Sequence, residues 1–183
     1  MSYTIFKRDY ENLKMAKLRK KHPGMENEEL MRYFGMGAKM KTPKSAAQFE
    51  ALITEYVHMK GGICTKVSVM GRSVVKKTKV TDVVGRKNTI IDETYIPSTT
   101  KKGTSDLILS YKNHVLYTEV KFSKTDRQSE DQKKFEAHVV KSGSQYRIVK
   151  TLDDFCELWM KFTDWVNERE LILKKYRYEK IQN

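Results

Sequence analysis

Hydrophobic and polar residues recur along this chain with two different periods. Between 63 and 122 the period is two. The segments 63–70 (ICTKVSVM), 73–80 (SVVKKTKV) and 88–96 (NTIIDETYI) are rich in Val, Ile and Thr and predict strands, with a turn at Gly71-Arg72. Residues 103–122 (GTSDLILSYKNHVLYTEVKF) predict two more short strands joined by a tight turn. In the second of these, Val115, Tyr117, Glu119 and Lys121 share one face, and Leu116, Thr118, Val120 and Phe122 share the other. Apolar residues stand on both faces, which predicts a central, buried strand.

On either side the period is helical. Ser45-Ala46-Ala47-Gln48 has the pattern of a capping box and opens a helix to about Lys60, ended by Gly61-Gly62. Its apolar stripe is Phe49, Leu52, Ile53 and Tyr56. Ser129-Glu130-Asp131-Gln132 repeats the pattern and opens a helix over 129–142, with Phe135, Val139 and Val140 inward and Gly143 as its stop. A strand over 145–150 follows. Thr151 then caps a long helix with Asp153 and Asp154 in its first turn and Phe155, Trp159, Phe162 and Val166 as its buried stripe. Ahead of all these, 10–21 suits a helix broken by His22-Pro23-Gly24, 28–34 a second short helix, and 35–44 a loose, lysine-bearing stretch. The order helix, mixed sheet, helix, strand, helix predicts a single α/β domain over 45–170, with a basic helical extension over 1–44 and a basic tail over 171–183.

Charge adds the kind of partner. The 183 residues include 36 Lys and Arg against 23 Asp and Glu, a net charge of +13. That excess favours a polyanion, most simply nucleic acid. Cys64 and Cys156 are too few for a disulfide framework and lie in apolar runs as core thiols. No run approaches a transmembrane length and no signal peptide opens the chain, so the expectation is a soluble intracellular protein with no membrane partner. His22, His58, His114 and His138 show no ligand spacing, although His114 falls in the hairpin turn that joins the Asp106 and Glu119 strands.

The candidate chemistry lies in that hairpin. Asp106 opens its first strand, so the turn can bring it beside Glu119, and Glu119 and Lys121 point the same way. Two carboxylates and a lysine on one spot suit Mg²⁺ and metal-assisted phosphodiester hydrolysis. A Glu-x-Lys pair alone more often marks a solvated strand face. Burial of this strand is what asks for another explanation.

The order G-x-x-D at 103–106, Glu119-Val120-Lys121, then Arg127-Gln128-Ser129-Glu130-Asp131-Gln132 at a helix start resembles the PD-(D/E)xK nuclease superfamily. Within it, the pattern is most similar to the virus-type replication-repair nuclease (VRR-NUC) family. The resemblance covers roughly 45–155, most sharply 103–150. It implies a restriction-endonuclease-like core, a central mixed sheet flanked by helices, with the basic extension and the last helix added. It implies that Asp106 and Glu119 bind Mg²⁺ (or Mn²⁺), with the Val120 carbonyl as a further ligand, and that Lys121 is catalytic. It gives Gln132 a place against the site, where the residues alone favour a helix cap. It also gives a glutamate of the first helix a supporting role. Glu50, on the flank of its stripe, is the candidate, and an exposed helix glutamate is the alternative. Ser105 stands where the family often has Pro. The activity implied is metal-dependent DNA cleavage, selective for branched, junction or flap structures in replication, repair or recombination. The setting implied is the cytoplasm of a bacterial or phage-infected cell, and pairing as a homodimer is known among stand-alone members.

Phosphate contacts are expected from Lys76, Lys77 and Lys79 on one basic face of a β-ribbon, from Lys101 and Lys102 in the polar loop 97–103, and from Arg127. A solvated edge guarded by lysines is the competing account of the ribbon. The extension, with 11 basic and 5 acidic residues, suits a DNA-gripping arm, a dimer element or a helical lid on the core. Trp165 and the tail 174–180 interleave aromatic and basic residues, as in stacking on single strands. Two other classes fit the same sequence: a nuclease-fold module that binds nucleic acid without cutting it, and an RNA-binding accessory protein.

Overall fold

The structure is a computed structural model of the whole chain. It describes every residue except 1–3, 69–71, 82–84, 86, 97, 99, 124 and 183, and within helices and strands the side chains of 27, 34, 36, 38, 72, 88 and 176–182 are outside the described set. Positions 69–71, at the end of the first predicted strand and in its turn, and 97 and 99 of the polar loop therefore lie outside the described residues.

The elements follow in the order α1 (Thr4–Lys21), α2 (Asn27–Ala38), α3 (Ala46–Met59), β1 (Ile63–Lys66), β2 (Arg72–Thr81), β3 (Lys87–Ile96), β4 (Leu107–Tyr111), β5 (His114–Val120), α4 (Glu130–Lys141), β6 (Gln145–Val149) and α5 (Leu152–Gln182). Four strands form a mixed sheet in the order β1-β4-β5-β6, antiparallel except for the parallel β5–β6 pair. β5 is interior, as its two-sided apolar pattern predicts. The turn before it is Lys112-Asn113, both with positive φ (45° and 67°), which is the two-residue geometry that matches strand twist.

Helices cover both faces of this sheet. Leu107, Leu109, Leu116 and Val120 point into one core with Phe49 and Ile53 of α3 and Phe155 and Trp159 of α5. On the opposite face, Phe135 of α4 sits edge-on to Tyr117 and Tyr146, at 5.8 and 6.3 Å between ring centroids. The stripes expected for α3 and α5 are the buried ones. On α4, Val139 is buried but Val140 is exposed, so the inward stripe is narrower than the apolar pattern suggests. Cys64 and Cys156 are free, buried thiols.

Helix α1 closes the core, with Phe6 and Tyr10 buried against it. Its first turn is tied down by Asp153, whose carboxylate accepts from the amides of Phe6 (2.9 Å) and Thr4 (3.1 Å). A carboxylate there meets the positive end of the helix dipole. α1 thus packs against the core, as expected of a lid. α2 runs on through Ala38, past the expected end at 34, and α5 passes position 171 without a break. Among the described residues, no helix is long and apolar enough to cross a membrane.

Strands β2 and β3 exist where predicted but, among the described residues, pair only with each other. Their lysines fall on both faces, so neither face can be buried in a sheet without stripping water from an ammonium group.

Candidate active site

Four of the predicted residues meet at one end of the sheet. The β4–β5 register places Leu107 opposite Thr118, so one rung further Asp106 stands opposite Glu119. Asp106 Oδ2 accepts from the Val120 amide at 2.9 Å, which fixes the carboxylate beside β5. Glu119 and Lys121 emerge on the same side, and Lys121 Nζ donates to Glu119 Oε1 at 2.9 Å. Both are almost wholly buried, at 1 % and 6 % exposure.

Gln132 takes both roles open to it in the sequence. Its Oε1 accepts from the Ser129 amide at 2.9 Å while Ser129 Oγ accepts from the Gln132 amide at 3.3 Å, a complete capping box. The same Oε1 accepts from Lys121 Nζ at 3.1 Å, and Gln132 Nε2 donates to Glu119 Oε1. The cap thus orients an amide between the lysine and the glutamate.

Burial pushes the Glu119 carboxyl up to about 7, the nearby Asp106 carboxylate adds to the rise, and the Lys121 ammonium opposes it. This is the environment of a carboxylate that a cation would stabilise. Mg²⁺ usually takes one or two carboxylates, completing its shell with water and phosphate oxygens, and the Asp106–Glu119 pair fits that requirement. Among the described residues, no group of three or more His, Cys, Asp or Glu side chains comes together to hold a metal. Val120, whose carbonyl was the third candidate ligand, sits beside Asp106 through its amide and buries its side chain in the core.

Glu50 is not brought to this pair. Its carboxylate lies on the α3 side of the sheet, 2.5 Å from Lys66 Nζ. Glu55, on the other flank of α3, is occupied by Lys14 and Tyr10 of α1. Lys101, Lys102 and Arg127 are exposed. The ribbon lysines do not form the single basic face expected of them, because alternation puts Lys76 opposite in direction to Lys77 and Lys79. His114 is at the far end of the hairpin from Asp106, with its ring 5.0 Å from that of Trp165. Ser105 is fully buried and donates its hydroxyl to the Leu107 carbonyl at 3.3 Å.

Three neighbours of the site escaped sequence reasoning. Asp126, exposed in the loop before α4, has its carboxylate 3.8 Å from Lys121 Nζ. Tyr146 is buried with its hydroxyl 3.5 Å from Glu119 Oε2, delivered by the parallel pairing of Tyr146 with Tyr117. Only the pairing of β6 with β5, which no local pattern announces, could have revealed it. Gly103 has φ of +83°, and a Cβ there would come within 2.3 Å of the Asp131 carbonyl and 2.8 Å of the Gln132 amide nitrogen. The loop before Asp106 therefore packs directly on the first turn of α4. Its signal was the lone glycine ending a polar loop.

Comparison of the chain with protein-family models, curated proteins and solved structures finds no match.

Proposed function

We propose that this protein is a metal-dependent DNA endonuclease of the PD-(D/E)xK kind, similar to the virus-type replication-repair nucleases, and selective for branched, junction or flap structure. One observation carries the reading: half-buried Asp106 and buried Glu119 and Lys121 converge with Gln132 at a sheet end. A structural ion pair would not need a second acid whose nearness raises the first. Asp106 and Glu119 would hold Mg²⁺ (or Mn²⁺). When bound, the ion supplies a water of lowered pKa and charge neutralisation at the phosphate. Lys121 places a positive charge where negative charge builds in the transition state. Gln132 keeps Glu119 and Lys121 in register, and Tyr146 closes the site behind Glu119. The excess of basic residues supports DNA as the substrate.

The reading is tested by incubating labelled duplex, single-strand, flap and four-way DNA with and without Mg²⁺. Asp106→Asn and Glu119→Gln should each abolish cleavage. Asparagine is preferred to alanine at 106 because it keeps an acceptor for the Val120 amide, whose loss costs about 1–3 kcal/mol. Gln132→Glu keeps both acceptor contacts but loses the donor to Glu119, and should lower cleavage about 10–100-fold. Wild-type cleavage by Asp106→Asn or Glu119→Gln would rule the assignment out.

A second reading is a nuclease-fold module that grips nucleic acid without cutting. Its support is that no third acidic ligand joins the pair among the described residues. Such a module should show no Mg²⁺-dependent rise in melting temperature, whereas the nuclease should show one that Glu119→Gln removes.

A further inference from the structure

The β2–β3 ribbon is the largest feature that the site leaves unexplained. Each strand is ten residues long, and every described side chain on both is exposed. Ile91 and Tyr95 stand 62 % and 64 % open to solvent. A lone two-stranded ribbon is marginally stable in water, so its faces call for a partner.

The register sorts the charges. Lys77, Lys79 and Lys87 fall on one face, interleaved with Val75, Ile91 and Tyr95, and Glu93 is the single acid there. On the other face Lys76 lies directly across from Asp92, so charge cancels at that rung. The first face is therefore the one that favours a polyanion. A second copy of a chain carrying +13 is a poor electrostatic match for it.

Dimensions narrow the polyanion to duplex DNA. Ten residues of strand span about 33 Å, close to one turn of B-form duplex at roughly 34 Å. A two-stranded ribbon fits a major groove about 12 Å wide, where lysines reach phosphates and apolar side chains meet thymine methyls. The deep, narrow major groove of A-form RNA does not admit it. The ribbon also starts at the right place. Just before it, the Val67 amide donates to the Asp106 carbonyl at 2.8 Å, and at its base Ser98 Oγ donates to the Ser68 carbonyl at 3.3 Å.

We propose that the ribbon lies in the major groove of duplex DNA flanking the bond to be cut, with the Lys77, Lys79 and Lys87 face inward. The position of the cut rests on the nuclease reading, but binding does not. The test is therefore made in EDTA, by fluorescence anisotropy over a salt series. It uses DNA duplex, RNA duplex and single-stranded DNA of equal length. Replacing Lys77, Lys79 and Lys87 with Ala should weaken DNA-duplex binding at least tenfold and make the log–log salt slope shallower by about 2.7, at 0.9 per lost phosphate contact. Lys76→Ala should change affinity less than threefold. On wild-type protein, guanine N7 should be protected from methylation over about one turn. Unchanged duplex affinity in the triple variant, equal weakening on RNA duplex or single strands, or unprotected N7 would each overturn the proposal. Loss of a dimer in sedimentation of the triple variant, without loss of duplex affinity, would make the ribbon an interface between copies instead. Ribbon-dependent binding without cleavage in Mg²⁺ would keep the proposal and sink the nuclease reading.

Discussion

Glu119 concentrates the conflicts of this molecule in one side chain. It is buried, faces Asp106, and is held by Lys121 and Gln132. Its value of about 7, against 4.5 for an ordinary glutamate, means that the folded chain holds a proton there more tightly than the unfolded chain. Stability from that proton is present below about 4.5 and is lost as pH rises through about 7. The metal-free protein should therefore lose up to about 3 kcal/mol between pH 5 and 8 relative to Glu119→Gln, which cannot titrate. Urea denaturation of both proteins at the two pH values measures this. Parallel profiles would show that Glu119 is ionised throughout. Asp9 and Glu55 lean the other way: although burial opposes it, Lys60 and Tyr56 hold the first below the usual carboxylate range, and Lys14 and Tyr10 the second. These two contribute stability that is lost only in stronger acid, so they leave the comparison unaffected.

Among elements, the junction between the 97–103 loop and α4 decides the site. Gly103 lies against the backbone of Asp131 and Gln132, and the cap that begins there aims Gln132 at Glu119. Gly103→Ala adds a methyl where there is no room and a left-handed φ that alanine resists. Gly143, at φ +81° with open space around it, carries the second burden alone. Gly143→Ala should cost about 1 kcal/mol with cleavage intact. Gly103→Ala should cost more and also lower kcat, because α4 must move to accommodate it. If the two variants behave alike in both melting temperature and kcat, the close approach at Gly103 does not matter to the site.

At the scale of the whole molecule, the N-terminal helix belongs to the core. Phe6 is fully buried between Tyr10, Tyr56 and Phe155, at ring distances of 5.9, 4.8 and 6.5 Å. Phe6→Ala should destabilise the whole protein by about 3–5 kcal/mol in one cooperative transition. A detached arm would lose nothing measurable in the same melt.

Much of this was legible in local pattern. The period-two alternation of 114–120 set Glu119 and Lys121 on one side of a buried strand, because side-chain direction in a strand follows from the backbone alone. The S-x-x-Q patterns at Ser45 and Ser129 marked two helix starts to the residue, since a cap is a contact among near neighbours, although at Ser45 the Gln48 side chain accepts from the Lys44 amide and the full box forms only at Ser129. The stripes of α3 and α5 read correctly for the same reason. What stayed hidden depends on register and on which face of the sheet a helix covers. Glu50 lies on a suitable flank of α3, but α3 packs on the core face of the sheet, where Lys66 meets it, while Glu119 and Lys121 look toward α4. Tyr146 reaches Glu119 through a parallel pairing with no local signature. The ribbon lysines read as one patch because they are adjacent in sequence, yet adjacency in a strand puts neighbours on opposite faces, and only the pairing with Asp92 shows that the Lys76 charge is offset. The chain determines by itself whatever depends on backbone period and neighbouring side chains. The tertiary structure decides which distant surfaces meet, because that choice is made by the packing of whole faces.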